Sequence, residues 1–159
     1  SKTLSASVRC GFIAAPVAWV EALTDLKIAT AFGGAHFSAA LVLSLLTDGS
    51  YRKHVEALRL RLAAVMPEAS ARLKSIGCVP WIEPQAGMFL WCRLPNGVDA
   101  GDVARRALPQ QVVLAPGNVF SSSQNASSFM RFNVSQMGSP QTMTVLADAL
   151  REAAGSRPF

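Results

Sequence analysis

Charge, cysteine and histidine are all scarce in this chain, and no apolar run in it is long. Only 16% of the 159 residues are charged and half are hydrophobic, a balance that excludes a disordered or purely solvating chain. The length suffices for one well-buried domain. The three cysteines, Cys10, Cys78 and Cys92, form no C-x-x-C pair and leave an odd count. That argues against a disulfide framework and for reduced, buried thiols in a cytoplasmic protein. His36 and His54 lack ligand spacing, so no metal site is expected. No segment approaches the ~20 apolar residues that span a bilayer. The greasiest stretch, 37–46, is too short for that and reads as a buried helix. Ser1-Lys2-Thr3 is not a signal-peptide start, and internal repeats and low-complexity tracts are missing.

What charge there is leans basic, with a net +5. The basic residues are densest at Arg52, Lys53, Arg59, Arg61, Arg72 and Lys74, interleaved with an apolar helical stripe. The plain reading is a solvated helix face. A DNA- or partner-binding module using Arg52, Lys53, Arg59 and Arg61 is the sharper one, and salt-dependent DNA binding would reveal it. No helix-turn-helix, zinc-finger or RNA-binding motif accompanies those residues.

Residues 9–14 read as a strand, ended by Pro16. A helix starts there, with Trp19, Leu23 and Leu26 on one face, and Gly33-Gly34 breaks it. Residues 35–47 form a second helix, apolar on most sides and therefore expected to be buried. Asp48-Gly49-Ser50 is a turn. Val55, Leu58, Leu62, Val65, Ala69, Leu73 and Ile76 then recur at three- and four-residue steps, the mark of a long amphipathic helix. Pro67 inside it predicts a kink or a break, and Gly77 stops it. Beyond Gly77 the period changes. Residues 78–82, 88–94, 112–115 and 130–135 read as strands, and Asp99 caps a short helix between the second and third. In the last strand Met130, Phe132 and Val134 point one way, Arg131, Asn133 and Ser135 the other. Residues 121–128 form a polar loop, expected to be mobile. Ser139-Pro140 opens a final helix that Gly155 closes. The expected class is α/β: a small sheet of three or four strands packed on the long helix and the C-terminal helix, with the stripe of the long helix buried against Met130, Phe132 and Val134.

The opening residues carry the most chemistry. In Ser1-Lys2-Thr3-Leu4-Ser5-Ala6-Ser7-Val8-Arg9-Cys10-Gly11 a lysine follows a serine, and an arginine comes seven positions later. This resembles the lysine segment of the class I/II aminotransferases, fold-type-I enzymes that use pyridoxal 5′-phosphate (PLP). The resemblance implies that Lys2 is the catalytic lysine. It would form an aldimine with PLP and, once substrate displaces it, carry the proton between the substrate α-carbon and the cofactor. It implies further that Arg9 pairs with the PLP phosphate through its guanidinium fork, and that Ser1 is a nearby donor. Phe129-Met130-Arg131-Phe132-Asn133-Val134-Ser135 resembles the strand whose arginine grips the substrate α-carboxylate, which assigns that role to Arg131. The alternative for Arg131 is a structural salt bridge.

Two more segments match. Glu83-Pro84-Gln85-Ala86-Gly87-Met88-Phe89-Leu90-Trp91 resembles the family's P-x-G-G-M-F-L-W stretch, with Ala86 where the first glycine is usual. Its methyl group would narrow the pocket or restrict the backbone. Leu114-Ala115-Pro116-Gly117-Asn118-Val119-Phe120 resembles the V-x-P-G-x-x-F loop that enters the site. The combination of SKTLSASVRCGFIAAP, LTDLK, LLTDGSYRKHVEALRLRLA and APGNVF…MRFNVS is similar to the aminotransferase-like module of MocR-type regulators of the GntR family. Such a module serves as an amino-acid sensor and dimeriser. A free-standing aminotransferase acting on an amino acid and a 2-oxo acid is the competing reading.

On either reading the fold is a C-terminal fragment of the PLP-dependent aminotransferase fold. The resemblance implies that residues 1–32 are a remnant of the large, PLP-binding domain, 33–50 a connecting helix and turn, and 51–159 the small domain. The resemblance puts the remaining walls of the PLP pocket upstream of residue 1, so weak or no PLP binding and no transaminase activity are expected from this chain alone. It implies a homodimer for the whole protein, and DNA contact only through an N-terminal domain outside this chain. No membrane role is expected.

Overall fold

The structure is a computed structural model that describes residues 3–95 and 97–155. It divides into two compact units, one up to Leu58 and the other from Arg59.

The first unit holds helices α1 (Val17–Ala31) and α2 (His36–Thr47) and the start of α3 (Ser50–Ser75). Pro16 stands immediately before α1 with φ −55°, where its missing N–H costs no helical hydrogen bond. Two expectations fail here. Residues 9–14 form no strand, because a strand exists only through a partner's N–H and C=O groups and none among the described residues pairs with them. Helix α2 is not buried. Phe37 is 80% exposed, Leu43 62% and Leu46 55%, and α1 likewise buries no residue. An apolar helix is covered only where a neighbour covers it, and the described part of this unit covers α2 only in part, leaving Ser38, Val42 and Leu45 half-buried.

The second unit begins inside α3 and carries a four-stranded antiparallel sheet. Its strands are β1 (Val79–Pro80), β2 (Phe89–Arg93), β3 (Ala115–Pro116) and β4 (Phe129–Asn133), in the order β1-β2-β4-β3. Both edge strands are two residues long and contain a proline, which blunts them against further pairing. The register sets Trp91 and Ala115 opposite Arg131, and Leu90 opposite Phe132. Alternation then sorts the faces. Leu90, Cys92, Met130 and Phe132 are buried, while Phe89, Trp91, Phe129 and Arg131 lie on the other side.

Helices cover the buried face. Met66, Ala69 and Leu73 of α3, Ala100, Val103 and Ala107 of α4 (Ala100–Ala107), and Leu146, Ala149 and Leu150 of α5 (Pro140–Gly155) share one core with the strands. The expected stripe of α3 joins Met130, Phe132 and Val134 in that core through Ala69 and Leu73, with Leu62 and Ile76 packed on its margin. Helix α3 runs through Pro67 without a break. Proline there forfeits one hydrogen bond, but its ring lies on the exposed side while buried Met66, Ala69 and Ser70 hold the helix on both sides of it. Gly77 ends α3 at φ 83°. The Cys78 N–H donates to the Leu73 carbonyl and the Gly77 N–H to that of Lys74, the paired bonds of a Schellman stop. Asp99 caps α4 by accepting from the Asp102 N–H at 3.0 Å.

The third strand falls at Ala115–Pro116 rather than across 112–115, because only there does the backbone meet β4. The polar loop 121–128 is tied down rather than loose. Its Ser127 and Ser128 carbonyls accept from the N–H groups of Ala100 and Leu94, and the Asn118 side chain accepts from the Ala126 N–H.

Candidate functional site

Arg131 occupies the middle of β4, on the face of the sheet away from the core. Its neighbours are aromatic. The guanidinium carbon lies 4.3 Å from the Phe89 ring centroid and 4.1 Å from that of Phe120. Phe89 comes from β2, two residues along from the cross-strand partner Trp91. Phe120 ends the 3₁₀ turn Gly117–Phe120 that follows β3. Among the described residues no carboxylate pairs with Arg131, so the salt-bridge alternative finds no partner. The rings balance the positive charge through their π faces and accept none of its N–H donors in plane.

Arg131 borders a cleft of about 280 Å³ shared with Phe89, Leu114, Asn133, Gln136 and Thr142. A charged fork with free donors, beside amide and hydroxyl groups in a small concavity, can take a planar carboxylate. The aromatic row continues along the sheet. Trp91 stacks on Phe129 at 5.5 Å, Phe129 meets Trp81 edge to face, and Arg93 lies over both Trp81 and Phe129.

The loop bringing Phe120 to Arg131 depends on Gly117. A Cβ at that position would lie 2.2 Å from the Ala126 carbonyl oxygen and 2.8 Å from that of Phe129. Ala86 does not restrict the backbone here, because the left-handed position falls on its neighbour. Gly87 alone takes the positive φ, 113°, and Ala86 stays in an ordinary conformation. Glu83, in the same segment, is fixed to α3. The buried Ser70 hydroxyl donates to its Oε1 at 2.9 Å, and Lys74 pairs with it. These donors hold the Glu83 carboxyl below the usual carboxylate range.

Ser1 and Lys2 lie outside the described residues. Arg9 is exposed and has no acid partner among the described residues. Its φ of 48° is a left-handed conformation that a long side chain seldom adopts, here directly after the turn that the Ser5 carbonyl closes by accepting from the Val8 N–H. An uncompensated guanidinium following a serine-rich turn suits a phosphate dianion. Sequence reasoning missed how Thr3 is held. Its hydroxyl is 3.1 Å from that of Tyr51, and its carbonyl is 2.5 Å from His54 Nε2. A tyrosine and a histidine three residues apart on one helix face were the available signal.

The remaining polar clusters are structural. Arg72 pairs with Glu68 and Lys74 with Glu83, which leaves the basic face of α3 partly neutralised, while Arg106 of α4 bridges Asp102 and Glu152. Cys78 and Cys92 are free and buried, and burial pushes both thiols up to about 12, so neither is nucleophilic at neutral pH.

Residues 1–150 match the family model described as aminotransferase class I and II. The chain belongs to that family. Its similarity extends to proteins of two kinds. The HTH-type transcriptional regulator YdcR of Escherichia coli is 30% identical over 135 residues, 84% of this chain and 29% of that protein. The HTH-type regulator YdfD of Bacillus subtilis is 27% identical, over 76% of this chain and 25% of its own length. The aromatic-amino-acid aminotransferase 1 of Thermococcus litoralis is 28% identical, over 84% and 32%. Among solved structures, the α-aminoadipate aminotransferase LysN of Thermus thermophilus, complexed with N-(5′-phosphopyridoxyl)-L-leucine, superposes with a TM-score of 0.80 at 24% identity. The match covers 98% of this chain and 41% of LysN. This chain therefore has the fold of one part of a PLP-dependent aminotransferase, and spans a quarter to two fifths of the proteins it resembles.

Proposed function

We propose that this chain is the carboxylate-reading part of a PLP-dependent, aminotransferase-like protein, and that in the complete protein it serves as the amino-acid sensor of a MocR-type transcriptional regulator. The observation that carries the reading is Arg131, a half-buried guanidinium with no acid partner among the described residues, bordering a cleft. Regulators such as YdcR and YdfD, which match most of this chain, support the regulatory half of this reading.

In this reading Arg131 binds the ligand carboxylate in a two-pronged pair, Arg9 with Ser1 holds the cofactor phosphate, and Lys2 is the covalent anchor for PLP. PLP, when bound, supplies an electron sink for the ligand's α-carbon. Residues 1–32 belong to the large domain, 33–50 connect, and 51–159 form the small domain. Partner contacts are homodimeric, and DNA is bound through a domain outside this chain. The setting is cytoplasmic, in keeping with the lack of any helix long and apolar enough to cross a membrane among the described residues.

The second reading, a free-standing aminotransferase, is favoured by the Thermococcus relative, which matches over as much of this chain as the Escherichia regulator does. One paired titration of the complete protein tests the shared site. Arg131→Lys keeps the charge but loses the fork, so amino-acid affinity falls while PLP loading persists. Arg9→Lys loosens PLP first. Equal loss of PLP affinity in both variants would make Arg131 structural. Turnover of an amino acid with a 2-oxo acid by the complete protein would favour the enzyme.

A further inference from the structure

We propose that Phe89 and Phe120 are positioning residues for Arg131, a pair of aromatic faces that hold its guanidinium ready for a carboxylate without consuming its hydrogen-bond donors. The inference rests on the carboxylate role of Arg131 and adds how that role is built.

An arginine on a sheet face has a long, mobile side chain, and ordering it on ligand binding weakens affinity. Proteins usually fix such a side chain with an acid, but an acid occupies the N–H groups that the ligand needs and cancels the charge that attracts it. Arg131 is fixed differently. Two rings from separate elements, β2 and the turn after β3, lie within 4.3 Å of its guanidinium carbon. Their attraction is to the charge, through the ring quadrupole, and takes no donor in plane. Both rings are themselves secured. Phe89 is fixed by the β2–β4 register, and Phe120 packs edge to face on Trp91, the cross-strand partner of Arg131. Gly117 sets the path of the turn by allowing its backbone to approach Ala126 and Phe129 more closely than any side chain permits. In this chain the aromatic residue at position 120 thus has a physical reason: its ring reaches back over the arginine.

The test uses the complete, PLP-loaded protein. All twenty standard L-amino acids are titrated by the change in cofactor absorbance, and the tightest binder is compared with its carboxamide. Phe120→Leu and Phe89→Leu each weaken the amino acid on the order of tenfold, leave the carboxamide within about twofold, and leave PLP affinity unchanged. Phe120→Tyr, which keeps the face, stays within about twofold of the parent. In an Arg131→Ala background, Phe120→Leu has no further effect. Should the leucine variants fold poorly, mono-, di- and trifluorophenylalanine at position 120 keep the shape while draining the ring face, and affinity falls stepwise with fluorine count. Equal weakening of acid and amide, additivity with Arg131→Ala, or indifference to fluorination would overturn the positioning role while the carboxylate role stands. An Arg131→Ala protein that binds the amino acid normally, or a parent that binds none of the twenty, would instead remove the carboxylate role and this inference with it.

Discussion

Gly117→Ala is the sharpest stability test the structure offers. The residue has no positive φ, so its need for glycine is one of space alone. The added Cβ would sit 2.2 Å from the Ala126 carbonyl oxygen, 2.8 Å from the Phe129 carbonyl oxygen and 3.1 Å from the Ala126 Cβ. An ordinary carbon–oxygen contact is about 3.3 Å or more, so the two backbones must part by about 1 Å. Neither obstruction can swing aside. The Ala126 carbonyl accepts from the Phe129 N–H at 3.0 Å, and Phe129 is paired with Arg93 in the sheet. Overpacking generally costs about 1–3 kcal/mol, and rigid backbone on both sides argues for the upper end, about 3 kcal/mol. At a urea slope near 2 kcal/mol per molar, the unfolding midpoint falls by about 1.5 M. The assay is equilibrium urea denaturation followed by tryptophan fluorescence, since Trp91 lies in the affected sheet and Trp81 packs against its Phe129. Gly138→Ala is the control, with open space around its added Cβ, and should stay within about 0.5 kcal/mol of the parent. A Gly117→Ala midpoint within about 0.3 M of the parent would refute the reasoning.

Three further outcomes are expected. The Glu83 carboxyl is held low by donors from Lys74 and Ser70, so its contribution is fully present above the unfolded value of about 4.3 and is lost as pH falls through the lower folded value. Glu83→Gln should therefore be less stable than the parent above about pH 5, and the two should converge as acid is added, in denaturant melts taken at several pH values. Asp99→Ala removes the cap on the Asp102 N–H and should cost about 1 kcal/mol, with Asp99→Asn recovering most of it in the same melts. Phe132→Ala empties one of the largest buried positions, 1% exposed at the centre of the core, and should cost about 3–5 kcal/mol.

The second unit was the more legible in sequence because its elements declare themselves locally. Alternation in 130–135 separated Met130 and Phe132 from Arg131 before any partner was known, since a pleated strand has no other way to place them, although the observed strand is Phe129–Asn133. Asp99 and Gly77 announced a helix start and a helix stop through properties of their own side chains. The short edge strands were harder. Residues 112–115 have a strand's composition, yet pairing occurs only at Ala115–Pro116, where β4 is in reach. The polar composition of 121–128 suggested motion, whereas Leu94 and Ala100 donate to its carbonyls from elements that no local pattern connects to it.

The same distinction explains the first unit and the site. Residues 37–46 are apolar on most sides, which says what such a helix prefers; burial is a property of the neighbour, and the described residues bury none of them fully. The motif around Arg131 identified the charge but not the means of holding it. Phe89 and Phe120 each sit in a segment whose family likeness was legible, yet neither segment contains anything that pairs it with Arg131. Their convergence is set by the β2–β4 register and by the absence of a side chain at Gly117. Composition can disclose an arginine among apolar neighbours; whether an acid or a ring meets it depends on a turn placed by a glycine. An acid there would have closed the site, whereas two ring faces keep the charge in place with its donors open.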